Sequence, residues 1–123
     1  MNTSGSRPDA YITKDKSLIR ELFHPAFMPG LGVSLAEAVV ESGTSTERHF
    51  HTSFDEIYYC LEGAGVLYIN GAPHTFSPGA HYLLSKGAWH YVTATTRLTF
   101  LCVCCPGYSH EETVLADRAP SSP

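Results

Sequence analysis

Short apolar or alternating runs, separated by Gly, Pro and Ser, fill the chain from Ser34 to Cys105. The runs include SLAEAVV, EIYYCLE, VLYIN, WHYVTA and RLTFLCVCC, and the breaks between them include ESG, GAG, SPG and SKG. Many short strands at such regular spacing are typical of an all-β barrel or sandwich. The NGAP segment at 70–73 predicts a tight hairpin turn, because Asn and Gly tolerate positive φ.

The N-terminal third contains one helical candidate, DKSLIREL at 15–22. Two prolines and two glycines follow it closely, so we expect at most two turns of helix. Both ends of the chain are small and polar, and we predict disorder at 1–9 and 118–123. A chain of 123 residues buries one core, which gives a single domain over 10–117.

Charge and cysteine content narrow the range of partners. The formal net charge is −4, and the eight Lys and Arg residues are scattered, so no basic surface for nucleic acid or an anionic membrane is expected. No apolar run resembles an export signal or a membrane span, which predicts a cytoplasmic protein. The bunched cysteines favour reduced thiols over a disulfide framework; they are Cys60, Cys102, Cys104 and Cys105. We expect a small molecule or another protein as partner.

Two imidazoles and a carboxylate lie within eight residues, at His49, His51 and Glu56. If 48–51 is a strand, both histidines point to one face, with Cα atoms about 6.5 Å apart, and both rings can reach one ion. Glu56 opens the next strand after a short bend and can return to the same ion. The alternative is an exposed polar turn, because the intervening TSFD consists largely of turn residues.

Two glycines stand at fixed distances on either side of these three residues. Five residues separate Gly43 from His49, one separates His49 from His51, four separate His51 from Glu56, and six separate Glu56 from Gly63. This spacing resembles the first motif of the cupin superfamily. Downstream, SPGAHYLLSKGAWH resembles the second cupin motif through Gly79, Gly87 and His90. The match departs from the usual pattern at Ser85, where cupins usually have Pro, and at Ala94, where they often have Asn.

The resemblance covers about 34–105 and is strongest to small single-domain bacterial cupins, which share SLAEA, EIYY.LEG and P.YSHE segments. It implies a double-stranded β-helix, or jelly-roll barrel. It also implies one divalent transition metal, of the Fe, Mn, Ni, Zn or Cu group, held by His49, His51, Glu56 and His90. Four protein ligands leave two positions of a six-coordinate ion open for substrate, water or dioxygen.

Other side chains support weaker hypotheses. Tyr58 and Cys60 share the parity of Glu56 and should face the interior, where Tyr58 is a candidate catalytic donor or a core tyrosine. Cys60 is expected to pack in the core, as are Cys102 and Cys104, whereas Cys105 faces away. The remaining histidines sit alone among turn signals and are expected to be structural or exposed; they are His24, His74, His81 and His110.

These features predict a metal-dependent enzyme acting on a small polar substrate, with dioxygenase chemistry expected first and isomerase or lyase chemistry second. The alternative is a non-catalytic module that binds a metal or a small molecule. Polar residues beside the metal favour the enzyme, and a wall of aliphatic residues favours the module. Outward apolar residues such as Phe50, and a strand at Tyr11 and Ile12 without an evident partner, predict a homodimer.

Overall fold

The computed structural model describes residues 9–115, which form eleven β-strands and, within that range, no helix. Within the same range no helix is long and apolar enough to cross a membrane. The strands are β1 (Tyr11–Ile12), β2 (Leu18–Phe23), β3 (Ser34–Val40), β4 (His49–His51), β5 (Asp55–Glu62), β6 (Gly65–Ile69), β7 (Ala72–Phe76), β8 (His81–Leu84), β9 (His90–Ala94), β10 (Leu98–Cys105) and β11 (Thr113–Leu115).

The strands form two antiparallel sheets. The six-stranded sheet has the order β1-β2-β3-β10-β5-β8, and the five-stranded sheet has the order β11-β4-β9-β6-β7. Burial alternates along the strands: in β10 every second side chain, from Leu98 to Cys104, is buried, as period two requires. The buried residues include Phe76, Phe100 and Leu67. The all-β prediction is therefore confirmed.

The hairpin between β6 and β7 turns at Asn70 and Gly71, whose φ angles are 49° and 84°. Ile69 pairs with Ala72, so the loop has two residues, as predicted for NGAP.

The helix predicted at 15–22 is wrong. Its first residues lie in a turn, and Leu18–Phe23 is strand β2, which pairs with β3 from Leu18 opposite Val39 to Phe23 opposite Leu35. Side chains from Thr13 to Ile19 are buried at alternate positions, which is the period of a strand. A two-turn helix is marginal on its own, so pairing with the edge of β3 outweighs the local preference.

The N-terminal strand has a partner within the chain, contrary to the sequence-based expectation. Tyr11 pairs with Ile19 and Ile12 with Leu18, which makes β1 and β2 a hairpin closed by residues 13–17. One of the two arguments for a homodimer is thereby removed. The ends predicted to be disordered, 1–9 and 118–123, lie outside the described residues apart from Asp9.

Candidate metal centre

Three buried imidazoles come together on the inner face of the five-stranded sheet. His49 and His51 lie on β4, and His90 lies on β9 directly opposite His49. One ring nitrogen from each histidine lies within 4.8 Å of the other two. The predicted strand at 48–51 and its common face for the two histidines are thus present in β4, and the third imidazole comes from a separate strand.

The rings of His49 and His90 are held by main-chain carbonyls. Nδ1 of His49 lies 2.8 Å from the Glu47 carbonyl oxygen, and Nδ1 of His90 lies 3.0 Å from that of Ala88. Because a carbonyl oxygen only accepts, each Nδ1 carries the proton. The neutral ring then presents the Nε2 lone pair to the interior, as a metal ligand must.

The ring of His51 is fixed in the same tautomer by a threonine on the adjacent strand β11. His51 Nδ1 lies 2.9 Å from Thr113 Oγ1. The Thr113 hydroxyl donates its proton to the Ser109 carbonyl at 3.0 Å, so it accepts from Nδ1. All three histidines therefore direct Nε2 toward the same space.

Glu56 reaches this space from the facing sheet, on β5, rather than from a strand beside β4. Its Oε1 lies 3.0 Å from His51 Nε2 and 3.5 Å from His90 Nε2. Cys104 donates a hydrogen bond from Sγ to Oε2 at 3.4 Å. Burial acts to raise the pKa of Glu56, but the adjacent His51 and His90 outweigh it and hold the pKa well below its usual range, so the side chain is a carboxylate.

A second carboxylate, which the sequence analysis did not identify, lies beside His49. Asp15 Oδ2 is 3.5 Å from His49 Nε2, and the Asp15 side chain is buried. The residue belongs to the turn at 13–17, whose backbone is tied to the site because Glu47 N donates to the Asp15 carbonyl at 2.7 Å. A polar pattern at alternate positions, Thr13, Asp15 and Ser17, was the available sequence signal.

The donor set fits a divalent metal ion. The Nε2 atoms of the three histidines and the carboxylate oxygens converge here as hydrogen-bond acceptors. His90 Nε2 is buried and has no hydrogen-bond partner among the described residues, as expected of an atom that binds a metal. Burial lowers the pKa of His49, and the adjacent His90 acts in the same direction, so the neutral form of His49 is favoured. Donor atoms that share one ion with bonds of about 2.1 Å lie about 3 to 4 Å apart. The carboxylate contacts of 3.0 and 3.5 Å match that spacing, and among the described residues the set in which every donor lies within 4.8 Å of every other consists of the three histidines.

A cavity of about 450 Å³, including its open mouth, extends from the site between the β1–β2 hairpin, β3 and β10. Its lining is mixed, with polar side chains among apolar ones such as Ile19 and Phe100. The polar or titratable lining residues are Thr13, Asp15, Ser17, Glu21, Ser34, His49, His51, Glu56, Tyr58, Cys102, Cys104 and Tyr108.

Two tyrosines of this lining stand over the imidazoles. The Tyr58 ring lies edge-on to His90 with centroids 5.7 Å apart, and the Tyr108 ring lies edge-on to His51 at 5.9 Å. Burial raises the pKa of both phenols, so both are neutral donors at ordinary pH. Tyr58 faces the interior as its parity predicted, whereas Tyr108 was not identified from sequence.

The family assignment follows from comparison with known proteins. A family model for the cupin domain matches residues 36–104, more than half of the chain. The chain belongs to the cupin family. The resemblance to cupins that was identified from the sequence is therefore confirmed.

Relatives of this cupin include an uncharacterized protein of Methanocaldococcus jannaschii, 38% identical over 87% of each chain. The L-ectoine synthase of Oceanobacillus iheyensis is 33% identical over 68% of this chain and 66% of that enzyme. Among solved structures, the ectoine synthase of P. lautus has a TM-score of 0.71 at 26% identity, covering 92% of this cupin and 84% of that chain.

A glycine of the second cupin motif connects the two strands that carry the histidines. Gly87 adopts a φ of 84° in the turn before β9, and its N–H donates to the His51 carbonyl at 2.7 Å. The turn thus ties His51 to the start of the strand that carries His90. Ser85 in place of proline leaves this connection intact.

The remaining cysteines and histidines of the cupin lie largely as predicted. Cys60, Cys102 and Cys104 are buried free thiols and Cys105 is exposed, although Cys104 also contacts Glu56 rather than only packing. The other four histidines take no part in the imidazole cluster found within residues 9–115.

Proposed function

We propose that this cupin is a metal-dependent enzyme that acts on a small polar substrate, with one divalent transition metal held by His49, His51, Glu56 and His90. The observation that carries the proposal is the convergence of three buried imidazoles, with Glu56 in contact with two of them, beside a cavity that His49, His51 and Glu56 line. A divalent ion bound there would supply Lewis-acid or redox chemistry.

The cavity walls favour an enzyme over a passive binding module. Polar groups stand beside the metal ligands, whereas a site for passive apolar binding would be lined by aliphatic side chains alone. The neutral phenol of Tyr58 lies near His90 and is placed to donate a hydrogen bond to a substrate oxygen. Tyr58 is therefore our candidate catalytic residue.

Two reaction classes remain for the site. Dioxygenase chemistry needs two open positions on a redox-active ion, and isomerase or lyase chemistry needs one position on a Lewis acid. The similarity to ectoine synthases, which are named for making a small organic molecule, supports a small-molecule substrate. The nature of the resident metal separates the two classes.

Elemental analysis of protein purified without added metal tests the proposal. We expect close to one transition-metal ion per chain, and azide added to the Co(II)-loaded protein should change the visible spectrum because a coordination position is open. Iron would favour oxygen chemistry, and firmly bound zinc would favour the other class. A chain that takes up no metal, or an ion that does not respond to azide, would contradict the enzyme proposal.

We also expect a homodimer formed through the outer face of the six-stranded sheet. An apolar row crosses four strands of that face, because Val103 pairs with both Leu35 and Ile57, and Ile57 pairs with Leu83. Ile57 is 45% and Leu83 60% exposed. Contiguous exposed apolar surface of this kind marks an interaction site.

Light scattering at micromolar concentration should return about twice 13.4 kDa, and Leu83→Asp should return the monomer mass. Phe27→Asp is the control, since it introduces the same charge at a residue of similar exposure that lies outside the sheets. A monomeric parent protein contradicts the dimer, and a Leu83→Asp dimer contradicts this interface.

A further inference from the structure

We propose that Asp15 is a fifth protein ligand of the metal centre, adding a second carboxylate on the His49 side. This inference rests on the proposed function, because it concerns the same ion. Asp15 lies outside the segment 36–104 that matches the cupin domain.

The contact between Asp15 and His49 pairs two hydrogen-bond acceptors. Because His49 Nδ1 donates to the Glu47 carbonyl, the neutral ring presents a lone pair at Nε2. Asp15 Oδ2 stands 3.5 Å from that lone pair, so two acceptors face each other in a buried place. Such an arrangement is unfavourable unless a positive charge lies between or beside them, and the spacing suits two ligands of one ion.

The turn at 13–17 holds the carboxylate in this orientation. Oδ1 of Asp15 accepts hydrogen bonds from the Thr13 hydroxyl, from Ser17 N at 3.2 Å and from Ser17 Oγ at 2.8 Å. These donors occupy one carboxylate oxygen and leave Oδ2 directed at His49. Lys14 Nζ fastens the same turn to the carbonyls of His110 and Thr113. Asp15 is thus preorganised as a ligand has to be.

A second carboxylate changes both the net charge of the metal centre and the number of coordination positions left open on the ion. Three neutral imidazoles and Glu56 leave a divalent ion with a net charge of about +1, and Asp15 brings the total to about zero. It also takes one of the two positions that four ligands leave open. With one open position, the centre suits isomerase or lyase chemistry on a Lewis acid better than joint binding of substrate and dioxygen.

Asp15→Asn tests the assignment through metal affinity rather than activity. We expect the affinity for Co(II), measured by competition with a chromophoric chelator, to fall roughly 10- to 100-fold. The visible spectrum of the bound Co(II) should also change, because the ligand set changes. Glu21→Gln is the matched control: it removes the same charge from the same cavity, at a carboxylate whose Oε1 accepts from the Tyr11 hydroxyl.

Ser17→Ala separates metal ligation from support of the turn, since it removes a donor to Oδ1 and leaves Oδ2 in place. We expect this variant to keep a Co(II) affinity within a few-fold of the parent, and circular dichroism of the metal-free proteins should show the same fold in all three variants. If Asp15→Asn binds Co(II) as Glu21→Gln does, with an unchanged spectrum, Asp15 is not a ligand. If the parent itself binds no Co(II), the proposed function fails first.

Discussion

His51→Ala and His90→Ala should each abolish firm metal retention, whereas Glu56→Gln should keep a weakly bound ion. Both histidines are buried on paired strands with Nδ1 held by a hydrogen bond, so each substitution removes a ligand whose Nε2 is already oriented toward the ion. The amide of Gln can still offer an oxygen at position 56, but without the charge. That loss should make the ion a stronger Lewis acid and raise any redox potential.

Metal per chain after dialysis against a mild chelator measures this difference. His81→Ala is the control, because His81 is an exposed imidazole stacked on Tyr59, outside the cluster. Circular dichroism of the metal-free variants confirms that the strands remain. If His51→Ala and His90→Ala hold metal as well as His81→Ala does, these residues are not ligands.

Gly63→Ala should cause the largest loss of stability of any glycine substitution described for this chain. A Cβ atom at Gly63 would lie 2.1 Å from the Arg97 carbonyl oxygen and 2.8 Å from its carbon, and both belong to the backbone. The φ of 91° is also unfavourable for any side chain. Overpacking and backbone strain together predict a loss of about 3 to 5 kcal/mol in the free energy of unfolding.

Gly79→Ala separates the two causes. Gly79 has nearly the same φ, 89°, but a Cβ there would meet nothing within 4 Å. We expect it to lose only the strain contribution, about 1 to 2 kcal/mol. Urea denaturation of both metal-free variants provides the comparison, and equal losses would show that the contact with Arg97 is unimportant.

Much of the fold was predictable because its determinants are local. Alternation and turn residues between Ser34 and Cys105 are short-range signals, and the two-residue turn at Asn70 and Gly71 depends only on residues that tolerate positive φ. The segment 15–22 was misread because its conformation depends on pairing with β3, which follows it in the chain. Short apolar segments of that kind carry too little periodicity to decide between helix and strand.

The candidate site likewise contains some residues that local sequence patterns identify and others that they do not. His49, His51 and Glu56 were identified by local spacing, and His90 by resemblance to a family motif, since nothing near it in the sequence indicates a ligand. Asp15 and Tyr108 reach the site from the two ends of the described chain. Contacts over such separations follow from the docking of a hairpin and a C-terminal segment on the barrel. The alternating polar residues at 13–17 indicate an extended segment, but they do not indicate where that segment docks.

The β1–β2 hairpin supplies one wall of the cavity while the histidines belong to the other sheet. The hairpin therefore has two roles, because its turn carries Asp15 beside His49 and its strand β2 shapes the access to the site. Redesigning the cavity-facing residues of β2, with the turn at 13–17 retained, would leave Asp15, the three imidazoles and their Nδ1 partners untouched. Selectivity toward substrates can thus be re-engineered at Ile19 and Glu21, the two β2 residues that line the cavity, with every proposed ligand retained.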